Sequence, residues 1–274
     1  MPELPEVETI ARSLRTGNGG PPLPGRRIVR FSTSWPRHVD RPSISTFRRR
    51  IKNRTVQSVD RRAKFLVFPL DLGTLLIHLR MSGDLFLRPA GSEIEDYVHS
   101  TFYLDNGWEL RFSDARKFGR IYWTEEPHDV LGSLGPEPLD ESFTVDLFKQ
   151  RLHKHRRQLK PLLLDQSFLA GMGNIYVDEA LYRAQLHPLR KSDTLTIREI
   201  ERLWESIRTS MFEGIRHNGA SIDWVYRGGD YQNHFLVYKQ EGNPCENCGT
   251  PIQRTVVGQR GTYYCPDCQR ENIP

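Results

Sequence analysis

Between residues 3 and 15, Leu4, Val7, Ile10, Ala11 and Leu14 recur at three- and four-residue spacing, which predicts one apolar face of an amphipathic helix. Pro5 is tolerated in its first turn, and Glu3, Glu6 and Glu8 suit its positive end. The stretch 17–25, GNGGPPLPG, reads as a breaker-rich loop. Short alternating or apolar segments follow and predict strands at Arg27–Phe31, Thr55–Asp60, Phe65–Leu70, Thr74–Leu79, Asp84–Leu87, Thr101–Leu104, Glu109–Phe112 and Arg120–Trp123. Turn signals bound them, among them Asp71-Leu72-Gly73 and the hairpin signal Asp105-Asn106-Gly107. Strands at this spacing imply an antiparallel sandwich or barrel. The pattern changes near 128–141, where Leu134-Gly135-Pro136-Glu137-Pro138-Leu139 resembles a hinge. Beyond it the period is helical over Val145–His153, Leu159–Leu164, Gly173–Ala184 and Ile197–His217, the last preceded by the N-cap candidates Thr194 and Thr196. A polar, glycine-rich loop spans Asn218 to Asn233, and the last forty or so residues read as strand–turn–strand. The pattern predicts an α+β chain of more than one domain.

The chain has 274 residues, enough for two compact units or one with a small appendage. Its composition, 37% hydrophobic and 27% charged, is that of an ordinary water-soluble protein. No apolar run approaches the ~20 residues needed to cross a bilayer, and the acidic start lacks a secretory layout. Both features predict an intracellular, cytoplasmic protein, where four cysteines are not read as disulfides. The net charge of +5 says little, but its distribution says more. From Arg26 to Lys64 there are thirteen Lys or Arg against Asp40 and Asp60, and Lys149 to Lys160 holds six with no acid. Clustered basic charge is the footprint of a polyanion, because neutralised phosphates release their counterions. A lone cluster could equally be a solvated face; two clusters point to nucleic acid.

Four cysteines carry the sharpest local signal. Cys245-Glu246-Asn247-Cys248, sixteen residues, then Cys265-Pro266-Asp267-Cys268 gives two knuckles able to hold one zinc tetrahedrally, with a β-hairpin between them. Four thiolates leave no open coordination position, so this zinc is structural, and neither a catalytic metal nor an organic cofactor is expected. Arg260, at the hairpin tip, suits a phosphate contact, although taken alone an exposed arginine without a role fits better. If Met1 is removed, Pro2 offers a secondary amine, a nucleophile at cellular pH, with Glu3 and Glu6 close by to move protons. Taken alone, Pro2 reads more readily as a proline opening a helix than as a nucleophile. Ala170-Gly171-Met172-Gly173-Asn174-Ile175-Tyr176 would present backbone N–H groups to an anion or form a tight turn between helices.

Together these segments resemble the formamidopyrimidine-DNA glycosylase family. The resemblance is carried by Pro2-Glu3-Leu4-Pro5-Glu6-Val7-Glu8, Arg61-Arg62-Ala63-Lys64, His78-Leu79-Arg80-Met81-Ser82-Gly83, Asp114-Ala115-Arg116-Lys117-Phe118-Gly119, Leu134-Gly135-Pro136-Glu137-Pro138, Gly173-Asn174-Ile175-Tyr176 and the cysteines. It implies an N-terminal β-sandwich catalytic domain (1–135), a helix–two-turn–helix domain (136–235) and a four-cysteine zinc finger (236–274). It implies a monomeric base-excision enzyme, prokaryotic in type and nucleoid-associated, acting on double-stranded DNA with oxidised purines or abasic sites. Such an enzyme is both a glycosylase and an AP lyase working by β,δ-elimination.

The resemblance also implies residue roles. Pro2 attacks C1′ of a flipped-out nucleotide, Glu3 is the general acid–base, and Glu6 supports the site. Lys64 and Arg260 serve the eliminations and grip phosphates. His78, Asn174, Tyr238 and Arg156 hold the DNA backbone. Met81, Arg116 and Phe118 fill the hole left by the extruded base, although composition alone would put Met81 and Phe118 in the core. A loop that caps the lesion is expected within Gly219 to Asn233. The chain departs from the family at Tyr97, which stands where a DNA-contacting histidine is common, at Ala115 and Lys117, and in the insertion from Gly19 to Pro24. Rival expectations are an endonuclease-VIII-like glycosylase for oxidised pyrimidines and a non-catalytic zinc-ribbon DNA binder.

Overall fold

The computed structural model describes residues 1–221 and 228–271. It divides into two compact units: Met1–Gly132 with Asn218–Gly229, and Ser133–His217 with Asp230–Pro274. Among the described residues no helix is long and apolar enough to cross a membrane.

The first unit opens with helix α1 (Leu4–Thr16), which buries Leu4, Val7, Ile10, Ala11 and Leu14, the predicted stripe, and ends at Gly17 in the left-handed region. Two five-stranded sheets follow. One has the order β3-β1-β8-β9-β7 and consists of β3 (Arg54–Thr55), β1 (Arg27–Thr33), β8 (Val98–Leu104), β9 (Trp108–Asp114) and β7 (Gly83–Pro89). The other has the order β2-β10-β6-β5-β4, from β2 (Val39–Arg41), β10 (Arg120–Thr124), β6 (Thr74–His78), β5 (Phe65–Pro69) and β4 (Asp60–Arg62). Their inward faces meet in one core, where Phe31, Phe102 and Phe112 of the first sheet join Phe68, Ile77, Ile121 and Trp123 of the second. The predicted Asp105-Asn106-Gly107 turn closes the β8–β9 hairpin, with Gly107 at φ 77°.

Two sequence expectations give way here. Thr55–Asp60 is not one strand: β3 ends at Thr55 in the first sheet and β4 begins at Asp60 in the second. Val56 and Val59 are both buried, a three-residue spacing that fits a chain crossing between sheets and not a two-residue strand repeat. Helix α2 (Ile44–Ile51) was not anticipated. Its apolar face is only Ile44, Phe47 and Ile51 amid three arginines, too short a repeat to stand out from the basic cluster.

The second unit is helical. After the short α3 (His128–Leu131) at the end of the first unit come α4 (Val145–His153), α5 (Leu159–Leu164), α6 (Asn174–Arg183) and α7 (Ile197–Arg216). Of the ten residues of α6, eight are buried, including Asp178 and Glu179, because α5, α7 and the terminal hairpin all pack on it. Thr196 caps α7 in a reciprocal box with Glu199. The hinge-like stretch at Gly135 is tied down: its N–H donates to the Gln166 carbonyl at 2.8 Å, and Pro136 accepts from Ala170 at 2.9 Å. The hairpin of β11 (Gln253–Val257) and β12 (Arg260–Tyr264) turns through Gly258 and Gln259, both at positive φ, as a tight two-residue turn demands.

Candidate functional site

In the first unit, carboxylates organise the start of α1. Glu6 Oε2 accepts the Glu3 N–H at 2.7 Å, and the Glu3 side chain accepts from the Glu6 backbone, a reciprocal cap. Glu6 Oε1 accepts the Ala220 N–H at 2.8 Å. A Cβ on neighbouring Gly219, at φ +79°, would sit 2.8 Å from Glu6 Cγ and Oε1, so only glycine lets the chain come this close. Pro2, Glu3 and Glu6 are buried while Met1 is exposed. Both oxygens of Glu6 are engaged in holding backbone, which makes it a positioning residue.

Lys64 is buried, directly before β5, whose Phe65 pairs with His78 of β6. Burial, helped by the charges of Arg80 and Lys64, pulls the His78 imidazole down to about 3. Its Nδ1 accepts the Arg80 N–H at 2.9 Å, so the neutral ring carries its proton on Nε2, as a hydrogen-bond donor.

Met81 and Phe118 are 39% and 50% exposed, which overturns the default placement of both in a core. The Arg116 Nη1 lies 3.6 Å from Met81 Sδ, so two loops from different strands present their side chains side by side. A buried clasp joins these loops. Ser82 Oγ accepts the Arg116 N–H at 2.9 Å and donates to Asp114 Oδ1, while Asp114 Oδ2 accepts the Gly119 N–H at 2.6 Å. His38 Nε2 stands 3.6 Å from the same carboxylate. Burial raises the Asp114 pKa, but bonds from His38, Ser82 and Gly119 outweigh it and hold the carboxyl below its ordinary range. Tyr97 is exposed at φ 64°, its carbonyl accepting the Asp114 N–H at 2.9 Å. Its loop is anchored by the buried Arg111, which bonds Glu95 and Glu109 at 2.9 and 2.8 Å and the carbonyls of Ser92 and Glu93.

In the second unit, the hairpin tip is registered on α6. The Gly261 carbonyl, next to the exposed Arg260, accepts from Asn174 Nδ2 and from Lys160 Nζ, both at 2.9 Å. Lys160 also reaches Asp178 Oδ1 at 2.6 Å, and Asp178 Oδ2 accepts the Tyr263 N–H. Lys160 and Asp178 are fully buried; burial pushes the Asp178 carboxyl up and the ammonium opposes it. Asn174 and Arg260 are thus brought together through one carbonyl. The Tyr238 N–H donates to buried Glu179 at 2.9 Å, and its ring packs edge-on against Phe235 and Tyr263. Arg156 is highly exposed and pairs with Asp193 at 2.8 Å. Other basic residues are also neutralised locally, Arg61 by Glu8, Arg50 by Glu125 and Arg157 by Asp165, so the free positive charge is smaller than the sequence count.

The sulfurs of Cys245, Cys248, Cys265 and Cys268 lie within 4.8 Å of one another, with Cys245–Cys268 and Cys248–Cys265 at 3.8 and 3.4 Å. A zinc–sulfur distance of about 2.3 Å puts tetrahedral sulfurs roughly 3.8 Å apart, so the four thiols fit one structural zinc.

Sequence reasoning named the side chains at these loops but not the groups that hold them: Ser82, Asp114, His38, Ala220, Lys160 and Asp178. A backbone signal marks the same places. Among the described residues nine non-glycine residues have positive φ, and six are, or adjoin, expected site residues: Ala63, Arg80, Tyr97, Lys117, Lys239 and Gln259. The expected capping loop falls partly on 222–227, outside the described residues.

Three family descriptions match in order along the chain: the formamidopyrimidine-DNA glycosylase N-terminal domain over 1–121, the H2TH domain of the same glycosylase over 134–225, and a zinc finger found in FPG and IleRS over 242–270. A formamidopyrimidine-DNA glycosylase of Herpetosiphon aurantiacus is 46% identical, covering 98% of this chain and 100% of the relative. The chain belongs to the formamidopyrimidine-DNA glycosylase family. Another member, from Enterococcus faecalis, is 39% identical with 98% of each chain covered. The Lactococcus lactis Fpg (MutM) solved with DNA containing N7-benzyl-Fapy-dG superposes with a TM-score of 0.91 at 35% identity, over 98% of this chain and 100% of that one. The same protein solved on DNA with an abasic site gives 0.90, at 35% identity over 98% and 99%. The glycosylase family's sandwich, H2TH helices and zinc hairpin are the elements described above.

Proposed function

We propose that this chain excises oxidised purines, 8-oxoguanine and formamidopyrimidines, from duplex DNA and then cleaves the strand as an AP lyase. Family membership makes it a base-excision DNA glycosylase. The lesion class and the lyase step are supported by relatives solved on Fapy-dG and abasic-site DNA. The observation that carries the reading is the start of α1, where Pro2 is buried and is followed by buried Glu3 and Glu6.

Once Met1 is removed, the Pro2 nitrogen attacks C1′, the damaged base leaves, and Glu3 delivers a proton to the opening sugar ring. The resulting iminium acidifies the C2′ proton; its loss expels the 3′ phosphate, and a second elimination expels the 5′ phosphate. Lys64 assists the first elimination and Arg260 the second, while Glu6 keeps Glu3 and the Ala220 backbone in place. His78 donates from Nε2 to a phosphate, and Asn174, Tyr238, Arg156 and Tyr97 add backbone contacts. Met81, Arg116 and Phe118 take the place of the extruded base, with the arginine facing the orphaned cytosine. Zinc, when bound, makes the hairpin that carries Arg260 rigid. The working form is a cytoplasmic, nucleoid-associated monomer, with catalytic (1–135), helical (136–235) and finger (236–274) parts. The pyrimidine-specific and non-catalytic readings are not favoured, since the family matches carry the purine enzyme's description throughout.

The test is borohydride trapping on a duplex with 8-oxoguanine opposite cytosine, with the adduct located by mass spectrometry. The expected adduct sits on a peptide beginning at Pro2. A Met1-free protein that binds the duplex but leaves no adduct refutes the lyase assignment.

A further inference from the structure

A second group of metal-ligand side chains lies away from the cysteines, at the end of α7. His217 caps that helix, and Asp230 opens the short 3-10 turn Tyr231–His234. His217 Nδ1 is 2.9 Å from Asp230 Oδ1, and His234 Nε2 is 3.7 Å from Asp230 Oδ2. The two imidazoles lie 3.8 Å apart, tilted by 37°. One donor atom from each of the three residues falls within 4.8 Å of the other two. Glu213, one turn back on α7, puts Oε2 at 3.7 Å from His217 Nε2, with its other oxygen 3.7 Å from Arg216. The backbone is fixed on both sides, since the Asp230 N–H donates to the His217 carbonyl at 3.0 Å. Behind the pair, buried Tyr231 stacks on Tyr176 with centroids 5.3 Å apart.

We infer that His217, Asp230 and His234 form a second divalent-metal site, of nitrogen–oxygen type, that clips the end of α7 to the Tyr231–His234 turn. Imidazole with carboxylate is a donor set for zinc, cobalt and nickel, unlike the thiolates of the finger. Metal–ligand distances of about 2.0–2.2 Å require the donors, which all lie within 4.8 Å of one another, to settle roughly 3.4 Å apart. Side chains that are 22%, 58% and 47% exposed for His217, Asp230 and His234 can do this by small rotations while their backbone stays put. Water completes the coordination, while Glu213 stays on the Nε2 edge of His217, opposite the Asp230 side. The site exchanges metal with solution, whereas the four-thiolate centre retains its own. A plain surface ion-pair cluster is the competing account, and such pairs contribute only about 0–1 kcal/mol each.

The test adds cobalt(II) or zinc(II) to protein whose finger already holds one zinc, reading stoichiometry by equilibrium dialysis and calorimetry. One further equivalent per chain is expected, without the intense thiolate-to-cobalt absorption of a cysteine site. His217→Gln and His234→Asn should each weaken it by at least about tenfold while leaving the finger zinc in place. Thermal unfolding adds a second readout: metal should raise the midpoint of the parent protein and not of either variant. His234 is well exposed, so its variant keeps the fold if circular dichroism is unchanged. Uptake that stops at one zinc per chain, or a second equivalent that persists in both variants, overturns the inference.

Discussion

Replacing Ser82 by alanine removes two hydrogen bonds at once: the one it donates to Asp114 and the one it accepts from the Arg116 N–H. The loop carrying Arg116 and Phe118 is then held by the Gly119 N–H on the Asp114 carboxylate, the Lys117 N–H on the Asp114 carbonyl and the Arg120 guanidinium on the Phe118 carbonyl. Asp114 is fully buried, so its oxygen loses a donor in a place water does not reach. A net loss of about 1–2 kcal/mol in local stability follows. That converts to roughly 5–30-fold faster opening of the loop. Hydrogen exchange read by mass spectrometry on peptides covering 79–84 and 114–120 measures this directly, with the 44–51 helix as internal control. Glu3 and Glu6 are untouched, so the excision defect should appear as weaker discrimination of lesion from normal DNA more than as slower strand cleavage at a preformed abasic site. The reasoning is refuted if the Arg116 peptide exchanges at the parent rate. The same clasp has a pH signature: the Asp114 carboxyl is held below its unfolded value, so its contribution is present above about pH 4 and is lost as pH falls through the folded pKa.

Other outcomes follow from neighbouring features. His78, held near 3 when folded, stays neutral while the unfolded chain takes up a proton below about 6.5, so stability should fall by about 1.4 kcal/mol per pH unit below that point. Urea midpoints from pH 7 to pH 5 check this, and His78→Gln should remove that slope. Gly219→Ala should cost about 2 kcal/mol or more, through φ +79° and the Cβ clash with Glu6, and the excision rate should fall with it; parent-like values would contradict the contact. Asp178→Asn leaves Lys160 buried without its counter-charge, so the second unit should lose about 3–5 kcal/mol in thermal or denaturant unfolding. Stripping zinc with a chelator should release the hairpin, expose four titratable thiols and abolish duplex binding in a mobility-shift assay.

The parts of the fold written locally were legible in the sequence. The α1 stripe, the Asn-Gly hairpin and the cysteine spacing each fit within one short window, and each stands where the pattern put it. The family motifs named the side chains expected at the site. What the sequence did not disclose was the set of groups that hold those side chains. Glu6 reaches Ala220 across 214 residues, Lys160 reaches Gly261 across 101, and Ser82 reaches Asp114 across 32. No periodicity encodes such pairs, because they arise only when separate elements pack. Phe118 and Met81 failed a composition rule for a related reason: hydrophobic character predicts burial on average, whereas these two are held outward by polar bonds beneath them.

The left-handed residues beside the positions proposed to face DNA set a limit on engineering. Glycine at Lys117 or Gln259 would relieve roughly 1 kcal/mol of backbone strain, a change that a search for heat resistance would select. The same change would free the loop to sample many conformations in which Phe118 or Arg260 points elsewhere. A thermostabilised descendant of this chain should therefore gain melting temperature fastest at the positions where it can least keep its activity, and screens that score stability alone will drift toward inert protein.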